Sequence, residues 1–204
     1  MLTKAVFAGP VAVYLWMTGS ILMAADKDRV LFDFVDPQAV QKWQAVNDGV
    51  MGGVSDGRFS ISHETMEFFG TLSLENNGGF ASVRSRPATL GLQKGGTLLA
   101  RVRGDGREYT LNLYVPRPRT AFSYRWTFQT EKNEWVEIRA PLEKFVATWF
   151  GREVPNEPLN PAEVNSIGFL LSDNQAGPFK LEVEWIKLMR TTVPDGSIGD
   201  HPRR

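Results

Sequence analysis

The stretch Thr97–Val115, TLLARVRGDGREYTLNLYV, decides the fold class. Leu98, Ala100 and Val102 fall at every second position, and so do Tyr109, Leu111, Leu113 and Val115. A period of two sends one set of side chains to a core and the other to the opposite face, which is the signature of a strand. Between the two runs lies GDGR, Gly104–Arg107, built of residues that accept positive backbone angles or fix a bend. Outward from this stretch the pattern repeats in VLFDFV, FSISHETMEFFGTLSLE, GFASVRSR, SYRWTFQT, WVEIRAP, SIGFLLSD and FKLEVEWIKLMR, separated by turn segments such as NNGG, PRPR and NQAGP. Many short strands with regular turns predict an all-β protein, an antiparallel β-sandwich of jelly-roll connectivity. Function in such a fold sits on a sheet face or in the loops at one rim.

Two segments stand outside this pattern. GREVPNEPLNPAEV, residues 151–164, carries prolines spaced so that no continuous helix forms, with LNPAEV reading as a short capped turn. The final TTVPDGSIGDHPRR is polar and turn-rich and is expected to be a flexible tail.

Composition narrows the function. The 204 residues carry 23 basic and 23 acidic side chains, so the broad positive field that non-specific nucleic-acid binding needs is missing. Six tryptophans and thirteen phenylalanines suit a β-rich interior. No cysteine is present, which excludes disulfides, thiolate metal sites and a cysteine nucleophile. At the N-terminus, MLTK precedes the uncharged run Ala5–Ala25, which reads as a signal peptide or a membrane anchor and is unlike an arginine-rich mitochondrial presequence. The expectation is a domain exported to the periplasm or cell surface, or membrane-anchored by residues 5–25.

Among candidate motifs, NDGVMGGVSDGRF at residues 47–59 is the densest in glycine. Its spacing matches neither the dinucleotide nor the P-loop pattern. The residues themselves leave two readings open: a buried crossover in which the Asp48 carboxylate satisfies neighbouring amides, or a binding loop. Gly53–Gly57 satisfies Gly-x-Ser-x-Gly around Ser55, but a nucleophile elbow needs a following helix, and here strand-like sequence follows, including His63. Asp48, Asp56, Asp105 and Asp173 with Asn174 are conceivable calcium ligands, yet turn aspartates that bond their own backbone account for each. Glu64, Glu67, Glu182 and Glu184 could supply paired carboxylates for hydrolysis, while alternation along a strand equally describes a solvated face. Trp126, Trp149 and Tyr109 are either a stacking platform or core. Arg84, Arg103 and Arg107 lie beside glycine turns, where guanidinium groups recognise a partner or pair with Asp48 or Asp105. No catalytic constellation, cofactor or metal site is expected.

The ordered series Trp43, VNDGVMGGVSDGRF, FFGTLSLENNGGFASVRS, VRGDGREYTLNL, Phe128, Trp135 and IGFLLSDNQAGPFKLEVEWI resembles the complex I intermediate-associated protein 30 family. The resemblance implies a galactose-binding-like β-sandwich over residues 26–190, similar to carbohydrate-binding modules and without an established catalytic centre. Its best-known mitochondrial members are assembly factors for respiratory NADH:ubiquinone oxidoreductase. The implied function is a non-catalytic domain that docks a protein partner, such as a respiratory-complex subunit or assembly intermediate; the alternative is an extracytoplasmic carbohydrate-binding module with a glycan as ligand. The motifs give the candidate binding residues Asn47, Asp48, Met51, Gly52, Gly53, Ser55, Gly79, Phe80, Arg84, Arg103, Asp105, Arg107 and Tyr109.

Overall fold

The computed structural model describes residues 28–117 and 121–190. Thirteen strands alternate with short 3-10 turns, which are the only helical elements among the described residues. The strands are β1 (Arg29–Asp33), β2 (Trp43–Asn47), β3 (Asp56–Ser62), β4 (Thr65–Leu72), β5 (Ala81–Ser85), β6 (Thr97–Arg103) and β7 (Glu108–Tyr114). They continue with β8 (Phe122–Gln129), β9 (Trp135–Pro141), β10 (Val146–Trp149), β11 (Arg152–Glu153), β12 (Ser166–Leu171) and β13 (Gly177–Met189).

Two antiparallel sheets form a sandwich. One runs β3-β4-β13-β6-β9, with β1 also paired to β13; the other runs β11-β10-β8-β7-β12-β5-β2. The alternating positions behave as the period requires: Leu98, Ala100 and Val102 of β6 and Tyr109, Leu111 and Leu113 of β7 all belong to the single buried core. At one end Trp43 is buried against Phe32 and Phe34, with ring centroids 5.1 and 5.8 Å away. The GDGR turn makes no hairpin. It carries the chain from β6 in one sheet to β7 in the other, so the two runs of Thr97–Val115 face each other across the core.

The long run Phe59–Glu75 is a hairpin rather than one strand. β3 and β4 pair with Ser62 opposite Thr65, and His63 and Glu64 between them have φ of 50° and 58°. His63 is therefore a turn residue, not the strand residue that its neighbours suggested. A two-residue turn with both φ positive matches the twist of paired strands and usually carries Asn or Gly, so His-Glu gave no signal of it. In the 151–164 segment, Asn160 caps a 3-10 turn at Pro161–Glu163, accepting from the Ala162 amide at 3.3 Å.

Candidate functional site

Asp48 organises the glycine-rich loop. Its side chain is fully buried, with no cation beside it, and the local backbone is shaped to serve it. Oδ1 accepts from the Ser55 amide at 3.0 Å. Oδ2 accepts from the Ser55 hydroxyl at 2.6 Å, the Gly79 amide at 2.7 Å and the Phe80 amide at 3.2 Å. Burial opposes the charge, yet the Ser55 hydroxyl and the amides of Gly79, Ser55 and Phe80 outweigh it and hold the carboxyl below its ordinary value. A Cβ on Gly53 would lie 2.4 Å from the Asp48 Cγ, which is why that position has none. Gly52, at φ 92°, closes the 3-10 turn Asp48–Met51. Asn47 ties the loop to β3 by donating to the Gly57 carbonyl at 2.9 Å. Ser55 also accepts from the Ser73 amide at 3.0 Å, so its hydroxyl is committed to the Asp48 carboxylate on one side and to that amide on the other.

The knot leaves an apolar crest outside. Val50 and Met51 are 76% and 49% exposed, and Val54 is exposed beside them. Val50 and Met51 line a cleft of about 720 Å³ together with Gly79, Phe80, Phe150 and Gly151. The cleft floor is the outer face of the β11-to-β2 sheet. Register puts Arg84 of β5, Gly168 of β12, Asn112 of β7 and Arg125 of β8 in one row across four strands. A Cβ on Gly168 would meet the Val83 carbonyl at 2.5 Å and the Arg84 Cγ at 3.2 Å. Glycine thus leaves the lane through which Arg84 crosses β12 to lie 4.7 Å over the Tyr114 ring. None of the described tryptophans lines the cleft.

The remaining candidates lie elsewhere. Arg103 forks onto Glu182 at 2.6 and 2.7 Å and lies 4.9 Å over Trp135, on the outer face of the opposite sheet. Arg107 forks onto Asp173 at 2.6 and 2.8 Å and donates to the Gln175 and Pro178 carbonyls. Asp105 accepts from the Arg107 amide, the Tyr109 hydroxyl and the Lys180 amide. Tyr109 is fully buried; burial first, and then the Asp105 charge, push its phenol up. These four residues fasten the β6–β7 turn to β13 and do not reach the cleft. For Arg103 and Arg107, the alternative of pairing with Asp48 or Asp105 gives way to Glu182 and Asp173, acids from the far end of the chain that sequence spacing cannot bring near. Tyr109 and Trp126 form no platform, since Tyr109 is core and Trp126 stacks on Phe128 at 6.0 Å. The acids of β13 are ion-paired on the sheet face, Glu182 to Arg103 and Lys180 and Glu184 to Arg101. No group of three or more His, Asp or Glu among the described residues could hold a metal ion.

The cleft therefore combines residues that the motifs pointed to with residues that they did not. Met51, Gly79, Phe80 and Arg84 were expected from the motifs, while Asn112, Tyr114, Arg125 and Phe150 were not. A signal existed in β7 and β8, where the residues alternating with the core set are Thr110, Asn112, Tyr114 and Ser123, Arg125, Thr127, polar groups on a face that the loops partly cover.

Comparison with known proteins settles the family. The model of complex I intermediate-associated protein 30 matches residues 32–183, most of the chain. The chain belongs to the complex I intermediate-associated protein 30 family. It is 29% identical over 184 residues to the mitochondrial member from Mus musculus, covering 79% of this chain and 56% of the relative. It is 26% identical to the mitochondrial member from Drosophila melanogaster, covering 78% of this chain and 62% of the relative. The chain thus spans little more than half the length of these relatives. Among solved structures, the family 11 carbohydrate-binding module from Clostridium thermocellum, in complex with a β-1,3-1,4-mixed-linked tetrasaccharide, is 17% identical with TM-score 0.58, covering 79% of this chain and 95% of the module. The family 30 module of a cellulase from the same organism is 12% identical with TM-score 0.54, covering 82% and 99%. These likenesses concern the fold, a galactose-binding-like sandwich.

The family members correct one expectation. Export to a periplasm or cell surface, or anchoring through residues 5–25, is overturned by relatives that are mitochondrial proteins. An uncharged apolar run reports affinity for hydrocarbon and not the destination of the chain, so the export reading rested on too little. Residues 1–25 and the expected tail 191–204 lie outside the described residues. Within the described residues no helix is long and apolar enough to cross a membrane.

Proposed function

We propose that this domain is a non-catalytic docking scaffold that holds a protein partner during assembly of the respiratory NADH:ubiquinone oxidoreductase. The observation that carries the reading is a set of apolar side chains exposed at the cleft: Val50, Met51 and Phe150 line it, Val54 is exposed close by in sequence, and exposed Trp149 is in edge contact with Phe150 at 5.4 Å. Large apolar side chains held out in water by a rigid loop lose little freedom on docking and gain roughly 25 cal/mol per Å² buried. The Asp48 knot supplies that rigidity. Membership of a family whose relatives are named for a complex I intermediate supports this partner class. A cleft floor that carries two arginines favours this reading over a neutral glycan.

The test is genetic and biochemical. Deleting the gene is expected to deplete assembled NADH:ubiquinone oxidoreductase in native gels of the host's membranes and to leave partial assemblies. Wild-type protein should restore the holoenzyme. A Val50→Asp, Met51→Asp double variant should not restore it, although it melts like wild type and an exposed change elsewhere, Lys94→Ala, restores fully. A full complement of assembled enzyme in the deletion strain would end the proposal.

A further inference from the structure

The floor of the cleft is more polar than a protein-docking groove requires. Asn112 is only 2% exposed. Its Nδ2 donates to the Tyr114 hydroxyl at 3.0 Å, while its Oδ1 has no partner. An amide end left unmet in a buried place is unfavourable, and it adds to the polarity of the floor. On either side of it stand Arg84 and Arg125. Arg84 donates through Nε to the Ser82 hydroxyl at 3.2 Å, and Arg125 through Nε to the Ser123 hydroxyl at 3.4 Å. Neither guanidinium forms an ion pair with a carboxylate among the described residues. No acid among the described residues lines the cleft. The neighbouring hollow that shares Arg125 does contain Glu108 and Asp173, but Asp173 is engaged by Arg107. Two half-buried like charges without counter-charge are unfavourable in the free protein. Burial, with the Arg84 charge adding to it against an opposing contribution from Tyr114, holds Arg125 below the ordinary guanidinium range.

We infer that the cleft floor is a binding site for a small anionic molecule, whose carboxylate or phosphate group lies between Arg84 and Arg125, above the buried Asn112. Guanidinium forks match the planar oxygens of carboxylate and phosphate, and an anion removes the repulsion between the two arginines as it binds. The buried hydroxyls of Ser82 and Ser123 brace the forks from below. Sheet register keeps the row rigid, and the open volume admits a molecule of several carbons. The site does not depend on the docking proposal, since its groups lie on the floor and the docking groups on the crest.

Calorimetric titration of the purified full chain tests this with four probes at one ionic strength: inorganic phosphate, D-gluconate, D-glucose 6-phosphate and D-glucose. Saturable binding of at least one of the three anions, at least about tenfold tighter than glucose, is expected. Binding of phosphates alone or of gluconate alone would support the site and name its anion. Arg84→Gln and Arg125→Gln should each weaken the anion about tenfold or more while melting no lower than wild type, because each removes a repulsion. Asn112→Asp, isosteric but negative, should abolish binding. In parallel, melting temperature should rise with phosphate over chloride in wild type and not in the arginine variants. No saturable anion binding up to about 20 mM, glucose bound as tightly as gluconate, or full affinity in both arginine variants would overturn the inference.

Discussion

A carboxylate buried without a cation survives only where donors replace water completely, and Asp48 meets that condition with one hydroxyl and three amides from two separate loops. Asp48→Ala strands the Ser55, Gly79 and Phe80 amides, while the Ser55 hydroxyl keeps the Ser73 carbonyl at 3.2 Å, and water entering the space recovers part of the loss. The variant should lose about 3 kcal/mol, read as a fall in urea midpoint at unchanged slope. The pH dependence has a definite sign. The Asp48, Asp173 and Glu182 carboxyls are all held below their ordinary values of 3.8, 3.8 and 4.5 in the folded protein. As pH falls, the unfolded chain takes up these protons first, so the stability they supply is complete above about pH 5 and is lost below it. Urea midpoints should therefore be flat from neutrality to about pH 5 and then drop, with a shallower drop in Asp48→Asn. The role of Asp48 was visible in the sequence as one of two readings, because an acid among glycines either caps amides or meets a ligand. What spacing could not show was Gly79 and Phe80, more than thirty positions away, as its donors.

At the scale of elements, the strands with clean alternation or a dense apolar run were legible, and three short ones were not. β2, β10 and β11 are edge or near-edge strands of five, four and two residues, too short for a period of two to rise above chance. The GDGR turn was legible as a turn, but its crossing between sheets was not, because that depends on Arg107 finding Asp173. This pair is 12% and 6% exposed, so it has left most of its water behind and breaking it uncovers a charge. Arg107→Ala should cost about 3–5 kcal/mol. Arg107→Lys should retain part of that but lose the fork, and hydrogen exchange should quicken in residues 172–178 before it quickens in β12. Equal quickening throughout the sheet would assign the pair to global stability rather than to the turn.

For the whole molecule, the all-β class was written in composition and alternation, whereas the cleft was not. Its floor joins Arg84, Asn112 and Arg125 from strands that are neighbours only after the sheet has assembled in the order β8-β7-β12-β5. Only Arg84 lay inside a motif dense enough to draw notice. The same assembly brings the two ends of the domain together: Arg29, where β1 begins, pairs with Leu188 near the end of β13. Tension between those ends therefore pulls β1 and β13 apart like the tabs of a zipper, loading one rung of the ladder at a time instead of shearing all of them together. Held between optical-trap handles at residues 28 and 190, the domain should first release β1 at low force, as a small separate extension preceding rupture of the sandwich. A segment attached at either end could peel this strand and expose the flank of β13 while the cleft, built on the other sheet, kept its shape.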